Sequence, residues 1–339
     1  DGLRAGENGV IDLRDSRVIL AGPGQGLVAA GISAPARIAG TCLVVETAGT
    51  AGYGILAQGA AASVTLQGSQ VRTTGAGAHG VVLGDGATVA LVGTGIAASG
   101  PAAAAIAALS TAAAGPPQAA RLTLTGSTIA AASGTAVAAA ATDLALDASG
   151  SVLTGAVVQS SQASIDLTLG DASHWTLPAA QGSVASRLSS LTSNDSTVSF
   201  TAPAAGAVDY GSLTVGSYQA SGGTMVMNAD LAPGAGAADR LVIDGGAATG
   251  STRILLATRN GGAATAGDGI AVVETRNGGR TADGVFVLGS RVAAGAYDYN
   301  LYRGGATSTE DWFLSSDRAD AAGGRTNLPD LRDEVPLTL

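Results

Sequence analysis

The chain has 339 residues, including Gly 51 and only 3% aromatic residues, and a formal net charge of −9. An apolar share of 46% against 13% charged residues excludes an intrinsically disordered tail. All 17 basic residues are arginines, too few against the acids for the basic stripe that nucleic-acid phosphates require.

The chain opens at Asp1 without a methionine or signal peptide, which reads as a mature or trimmed soluble segment. Its one cysteine, Cys42, excludes an intrachain disulfide framework. Within Thr41-Cys42-Leu43-Val44-Val45 it reads as a small buried hydrophobe. The segment Ser63-Val64-Thr65-Leu66-Gln67-Gly68-Ser69 alternates apolar and polar residues and ends on a glycine corner. It returns as Thr88-Val89-Ala90-Leu91-Val92-Gly93-Thr94, as Arg121-Leu122-Thr123-Leu124-Thr125-Gly126-Ser127, as Asp143-Leu144-Ala145-Leu146-Asp147 and as Ser164-Ile165-Asp166-Leu167-Thr168-Leu169. Aligned on Leu66, Leu91, Leu124, Leu146 and Leu167, the copies stand 25, 33, 22 and 21 residues apart. The longest interval holds Ala112-Ala113-Ala114-Gly115-Pro116-Pro117, which reads as an inserted loop. The stretch Pro101 to Ala114 is mostly alanine and too short to span a bilayer.

Repeats of this length mark solenoids or propellers. Helical solenoids need a 3.6-residue period that these units lack, and propeller blades need about 40 residues. An all-β, right-handed parallel β-helix with three short strands per coil fits. Its narrow bore explains the alanine and glycine. After about Trp175 the composition changes. Phe200, Tyr210, Tyr218, Phe286, Tyr297, Tyr299, Tyr302, Trp312 and Phe313 concentrate there, so this end is expected to be the more stable, with Trp312 buried where the last coil closes.

That C-terminal third carries a resemblance. The segments Gly211-Ser212-Leu213-Thr214-Val215, Gly223 to Leu231, Asp239-Arg240-Leu241-Val242-Ile243, Gly295 to Tyr302 and Asp311-Trp312-Phe313-Leu314 resemble the pertactin-like passenger of autotransporters (type V secretion). Leu331-Arg332-Asp333-Glu334-Val335-Pro336 looks like the stretch that precedes the membrane barrel in that family. The resemblance implies β-helix coils over 1–199, an autochaperone end over 200–316 and a linker over 317–339 toward an outer-membrane β-barrel. It further implies display on, or release from, a Gram-negative surface, with adhesion or surface interaction as the work and folding templated from the C-terminus. The surface ligand stays open. Arg303-Gly304-Gly305 is not an Arg-Gly-Asp loop. A β-helix enzyme acting on polysaccharide and a self-associating module are the alternatives.

No residue is assigned a catalytic, cofactor-binding or metal role, and no cofactor is expected. His79 and His174 read as solvated corner residues. With Leu144 and Leu146 inward and stacked on Ile165 and Leu167, Asp166 falls diagonal to Asp143 and Asp147, at roughly 7 Å. That lies within the roughly 6.5–9.5 Å of an inverting carboxylate pair. With no arginine and no aromatic platform expected nearby, the three read as solvated acids on a non-enzymatic face.

Overall fold

The computed structural model describes residues 1–84, 86–110, 118–179, 185–206, 209–232, 236–260, 262–306 and 308–316. The expected loop at Ala112 to Pro117 falls wholly outside these residues, as does the expected linker over 317–339.

Every regular element among the described residues is a β-strand. Each coil lays one strand on each of three parallel ladders. Leu27–Ala30, Ile55–Gln58, Val81–Leu83 and Ile106–Leu109 stack in the first. The second holds Ala36–Thr41, Ala62–Gln67, Thr88–Val92, Ala120–Thr125, Leu144–Ser149 and Ile165–Gly170. The third holds Val44–Thr47, Gln70–Thr73 and Gly95–Ala98. Longer strands bend around corners: Ser212–Asp230 supplies all three sides of one coil. Alternation decides the facing, as in Ala62–Gln67, where Ala62, Val64 and Leu66 are buried. The three-strand parallel β-helix is therefore the observed fold.

The register departs from the leucine spacing at one step. Leu66 pairs with Leu91 and Leu91 with Leu124, as spaced. Leu124, however, lies beside Ala148, and it is Leu122 that lies beside Leu146. Apolar alternation is unchanged by a slip of two residues, so it could not exclude the wrong alignment.

One corner repeats through the solenoid with left-handed backbone: Asp15 (φ 47), Cys42 (φ 54), Gly68 (φ 57), Gly93 (φ 54), Gly126 (φ 54), Gly150 (φ 55) and Asp195 (φ 46). Cys42 is thus an exposed corner residue and not the buried hydrophobe expected. Facing is set by the turn, and the apolar neighbours misled the reading. The next residue in most coils is a buried hydroxyl. Leu43 N–H donates to Ser69 Oγ (3.0 Å), Ser69 N–H to Thr94 Oγ1 (3.4 Å), Thr94 N–H to Ser127 Oγ (3.1 Å), Ser127 N–H to Ser151 Oγ (3.1 Å) and Ser151 N–H to Ser173 Oγ (3.1 Å). All five hydroxyl residues are buried.

Two glycines separate conformational from steric demand. A Cβ on Gly126 meets no heavy atom within 4 Å, so Gly126→Ala is charged only with the left-handed φ, about 1–2 kcal/mol. A Cβ on Gly100 lies 1.8 Å from the carbonyl oxygen of Gly75 in the coil below. Urea denaturation should show a modest drop in midpoint for Gly126→Ala and a much larger loss for Gly100→Ala. Equal losses would contradict this packing.

Candidate functional site

The outer-face acids lie where the stacking argument puts them. Leu144 pairs with Ile165 and Leu146 with Leu167, and Asp166 sits beside Ala145. Each acid has its own partner. Asp143 Oδ1 accepts from Ser164 N–H (2.7 Å), Asp166 Oδ1 from Ser190 Oγ (2.5 Å), and Asp147 Oδ2 lies 3.8 Å from Arg121 Nη1. An arginine does therefore stand on this face, brought by the neighbouring coil, contrary to expectation. No group of three His, Cys, Asp or Glu among the described residues is arranged to hold a metal ion.

The histidines are not free corner residues. His79 is half-buried, its ring stacked on Tyr53 (5.4 Å between centroids), and its Nδ1 accepts from Ala104 N–H at 2.9 Å. Burial lowers its pKa. His174 lies within the strand His174–Leu177, with Nε2 3.0 Å from Ser199 Oγ. Stacking between coils supplies these partners, and they are 25 residues distant in sequence. The His174–Ser199 pair sits on a sheet face. Among the described residues no third group is hydrogen-bonded to the imidazole there to orient it as a base.

The chemistry that distinguishes this molecule is at its C-terminal end. The last strand of the first ladder, Ile270–Arg276, pairs with Arg240–Asp244 on one edge and with the antiparallel strand Trp312–Ser315 on the other. Tyr297–Arg303 pairs antiparallel outside that, and Val292–Ala294 outside it again. A parallel solenoid edge offers open N–H and C=O groups, and reversing the chain direction ends the stack.

Side chains close the second ladder, whose last strand is only Arg280–Thr281. Thr281 N–H donates to Glu310 Oε2 (2.7 Å), and Arg303 Nη2 donates to Thr281 O (2.7 Å). Carboxylate and guanidinium thereby stand in for a next strand, and are joined to each other at 2.7 Å. Thr281 Oγ1 donates to Glu310 O (2.6 Å) and accepts from Trp312 Nε1 (3.0 Å). The Thr281 N–H, and then Arg303, hold the Glu310 carboxyl below its usual range against some desolvation. Arg303, weighed in sequence as part of a surface recognition loop, belongs to this clamp. Nothing in the sequence between Thr281 and Glu310 announces the pairing.

Aromatic rings fill the bore beneath. Trp312 is 5% exposed and meets Phe286 edge-on (5.5 Å, 83°), and Phe286 stacks on Tyr218 (5.9 Å). Tyr218 Oη shares a hydrogen bond with Thr252 Oγ1 (2.8 Å), and burial pushes its pKa up to about 12. Trp312 is buried at the closing coil, as expected. A second polar anchor is Asp239, also buried. Its Oδ1 accepts from Gly211 N–H (2.6 Å), and its Oδ2 from Asn228 N–H and Asn228 Nδ2 (both 2.6 Å). Burial raises its pKa, and these bonds partly offset the rise.

Residues 186–301 match the family model Autochaperone Domain Type 1. The chain is 37% identical over 107 residues to the Escherichia coli K12 protein YuaQ, covering 31% of this chain and 8% of that protein. It is 35% identical over 118 residues to the Adhesin BmaC autotransporter of Brucella suis (32% and 3%), and 32% identical over 107 residues to the Autotransporter adhesin AIDA-I of Escherichia coli (31% and 8%). The chain spans less than a tenth of the length of these relatives. Among solved structures it is similar to the Haemophilus influenzae Hap adhesin (TM-score 0.41, 14% identity, 92% of this chain and 42% of that one). It is also similar to the autotransporter UpaB of Escherichia coli CFT073 (TM-score 0.40, 12% identity, 94% and 99%).

Trp312→Ala empties the closing coil and should cost about 3–5 kcal/mol, read as a lower thermal or urea midpoint for the C-terminal region. An unchanged midpoint would remove Trp312 from the seal. The clamp also predicts a pH dependence. A carboxyl whose folded pKa is depressed contributes stability above its unfolded pKa, about 4.3, and loses it as pH falls through the lower folded value. Glu310→Gln should flatten that acid limb in a pH series of melting curves. A limb identical to wild type would place the dependence elsewhere.

Proposed function

With an autotransporter passenger whose C-terminal third is an autochaperone domain as the premise, we propose that this segment works in adhesion or surface interaction. It does so displayed on a Gram-negative outer membrane or shed from it, without catalysis. The coils over 1–199 present the outward faces and 200–316 templates their folding. Residues 317–339 lead toward the protein's own outer-membrane β-barrel. The observation that carries this reading is a coincidence of position. The autochaperone match at 186–301 covers the coils that hold Tyr218 and Phe286, and the strand that seals their edge, Trp312–Ser315, follows just beyond it. A solenoid has nearest-neighbour energetics, so a stable sealed end is the natural place from which coils propagate. The adhesin names of two relatives support the surface role.

The test has two arms. In the full-length protein, Trp312→Ala should lower surface labelling of a protease-resistant passenger by more than the stability of already folded coils accounts for. Normal display would contradict the templating role. The purified passenger should bind one or more members of a panel of matrix proteins and glycans while releasing no reducing ends. Release of reducing ends would instead favour a polysaccharide-degrading enzyme.

A further inference from the structure

We infer that the buried hydroxyl ladder, Ser69, Thr94, Ser127, Ser151 and Ser173, sets the register between successive coils. The apolar columns cannot do so alone. Side-chain facing has a period of two, so a coil slipped by two residues still buries its apolar set. At the step from Ala120–Thr125 to Leu144–Ser149 the leucines favour that slip. Leu124 on Leu146 would stack leucine on leucine, yet Leu124 sits beside Ala148. The hydroxyl corners agree with the observed pairing at the steps up to Ser151, while Ser151 to Ser173, a step of 22, follows Val152 to His174 on the third ladder and not the 21 of Leu146 to Leu167 on the second. Ser127 to Ser151 is a step of 24 residues, the same as Leu122 to Leu146. Ser69 to Thr94 repeats the 25 of Leu66 to Leu91, and Thr94 to Ser127 the 33 of Leu91 to Leu124.

The device works because a slipped coil would bury an N–H that has lost its hydroxyl acceptor, which the interior penalises. It also has a direction. Four of the hydroxyls donate to a carbonyl of their own coil two residues back, Ser69 Oγ to Gln67 O (3.0 Å), Thr94 Oγ1 to Val92 O (3.0 Å), Ser127 Oγ to Thr125 O (3.0 Å) and Ser151 Oγ to Ser149 O (2.9 Å), and Ser173 Oγ to Gly170 O (2.7 Å) three back; Ser127 Oγ and Ser173 Oγ also reach Leu91 O (3.1 Å) and Ala148 O (3.0 Å) of the neighbouring coil. Each hydroxyl then accepts the N–H of the coil on its N-terminal side. A folded coil therefore offers a fixed acceptor to the next coil toward the N-terminus. This holds whatever the passenger binds.

A cross-link reads register directly. A Cβ placed on Gly68 lies 3.8 Å from Cys42 Sγ, at the equivalent corner of the adjacent coil, and Cys42 already tolerates the left-handed φ found there. A slip of two residues moves the corners by about 6.6 Å, beyond the reach of a disulfide. Gly68→Cys protein refolded in oxidised glutathione should form the Cys42 cross-link. Adding Ser69→Ala should lower the ratio of cross-linked to free chain about tenfold, the effect of one lost buried hydrogen bond. Ser69→Thr, which keeps the hydroxyl as Thr94 does, should restore it. Leu66→Ala, which destabilises the same coil but keeps the hydroxyl, should lower the melting point and leave the ratio near its parent value. A Ser69→Ala protein that cross-links as fully as its parent would overturn the inference. So would equal losses for Ser69→Ala and Leu66→Ala, since stability alone would then explain the result.

Discussion

A parallel coil can hydrogen-bond along its edge only when a neighbouring coil is in place, so a stack of them needs one end that does not depend on another coil. This molecule supplies that end by reversing the chain. Trp312–Ser315 runs antiparallel along Ile270–Arg276 and takes the edge that a further parallel coil would occupy. Where no strand reaches, at Thr281, the Glu310 carboxylate and Arg303 guanidinium take its place. Among the described residues, Leu3–Ala5, Val10–Arg14 and Arg17–Leu20 pair only with the coil after them. Their inward residues Leu3, Ile11, Leu13 and Val18 stay half-buried, and Val10 is 69% exposed.

What fills the bore follows the same axis. In the middle coils alanine, valine and leucine stack, and buried hydroxyls occupy one corner. Trp175 marks the change, its indole buried between Leu153 and Val198 with Nε1 donating to Gly155 O at 2.9 Å. From there rings replace methyl groups, up to the Tyr218–Phe286–Trp312 series under the cap. Larger buried side chains remove more apolar area from water per coil. The energetics therefore grade from a sealed aromatic end toward aliphatic coils.

The solenoid was legible because its period is written in short alternating segments closed by glycine, and because nine aromatic residues lie beyond position 199. The burial of Trp312 followed from that concentration. Three features were not legible, each for a physical reason. The Leu124-to-Leu146 alignment failed because alternation tolerates a slip of two, and the Gly126-Ser127 and Gly150-Ser151 corners were the better guide. Cys42 was misplaced because a corner residue is judged by φ, which apolar neighbours do not reveal. The clamp of Thr281, Arg303 and Glu310 joins residues up to 29 apart across short strands that turn antiparallel, with no repeat period to follow.

The central claim is that stability declines from the sealed C-terminal end toward the N-terminus. Native-state hydrogen exchange, read segment by segment, measures this directly, because local opening free energies vary along a structure. The account predicts the slowest exchange in Ser212–Asp230, Arg240–Asp244 and Ile270–Arg276, with protection falling through the middle coils to its lowest values in Leu27–Ala30 and Ala36–Thr41. Protection that is uniform along the chain, or higher in the N-terminal coils than in Arg240–Asp244, would contradict it.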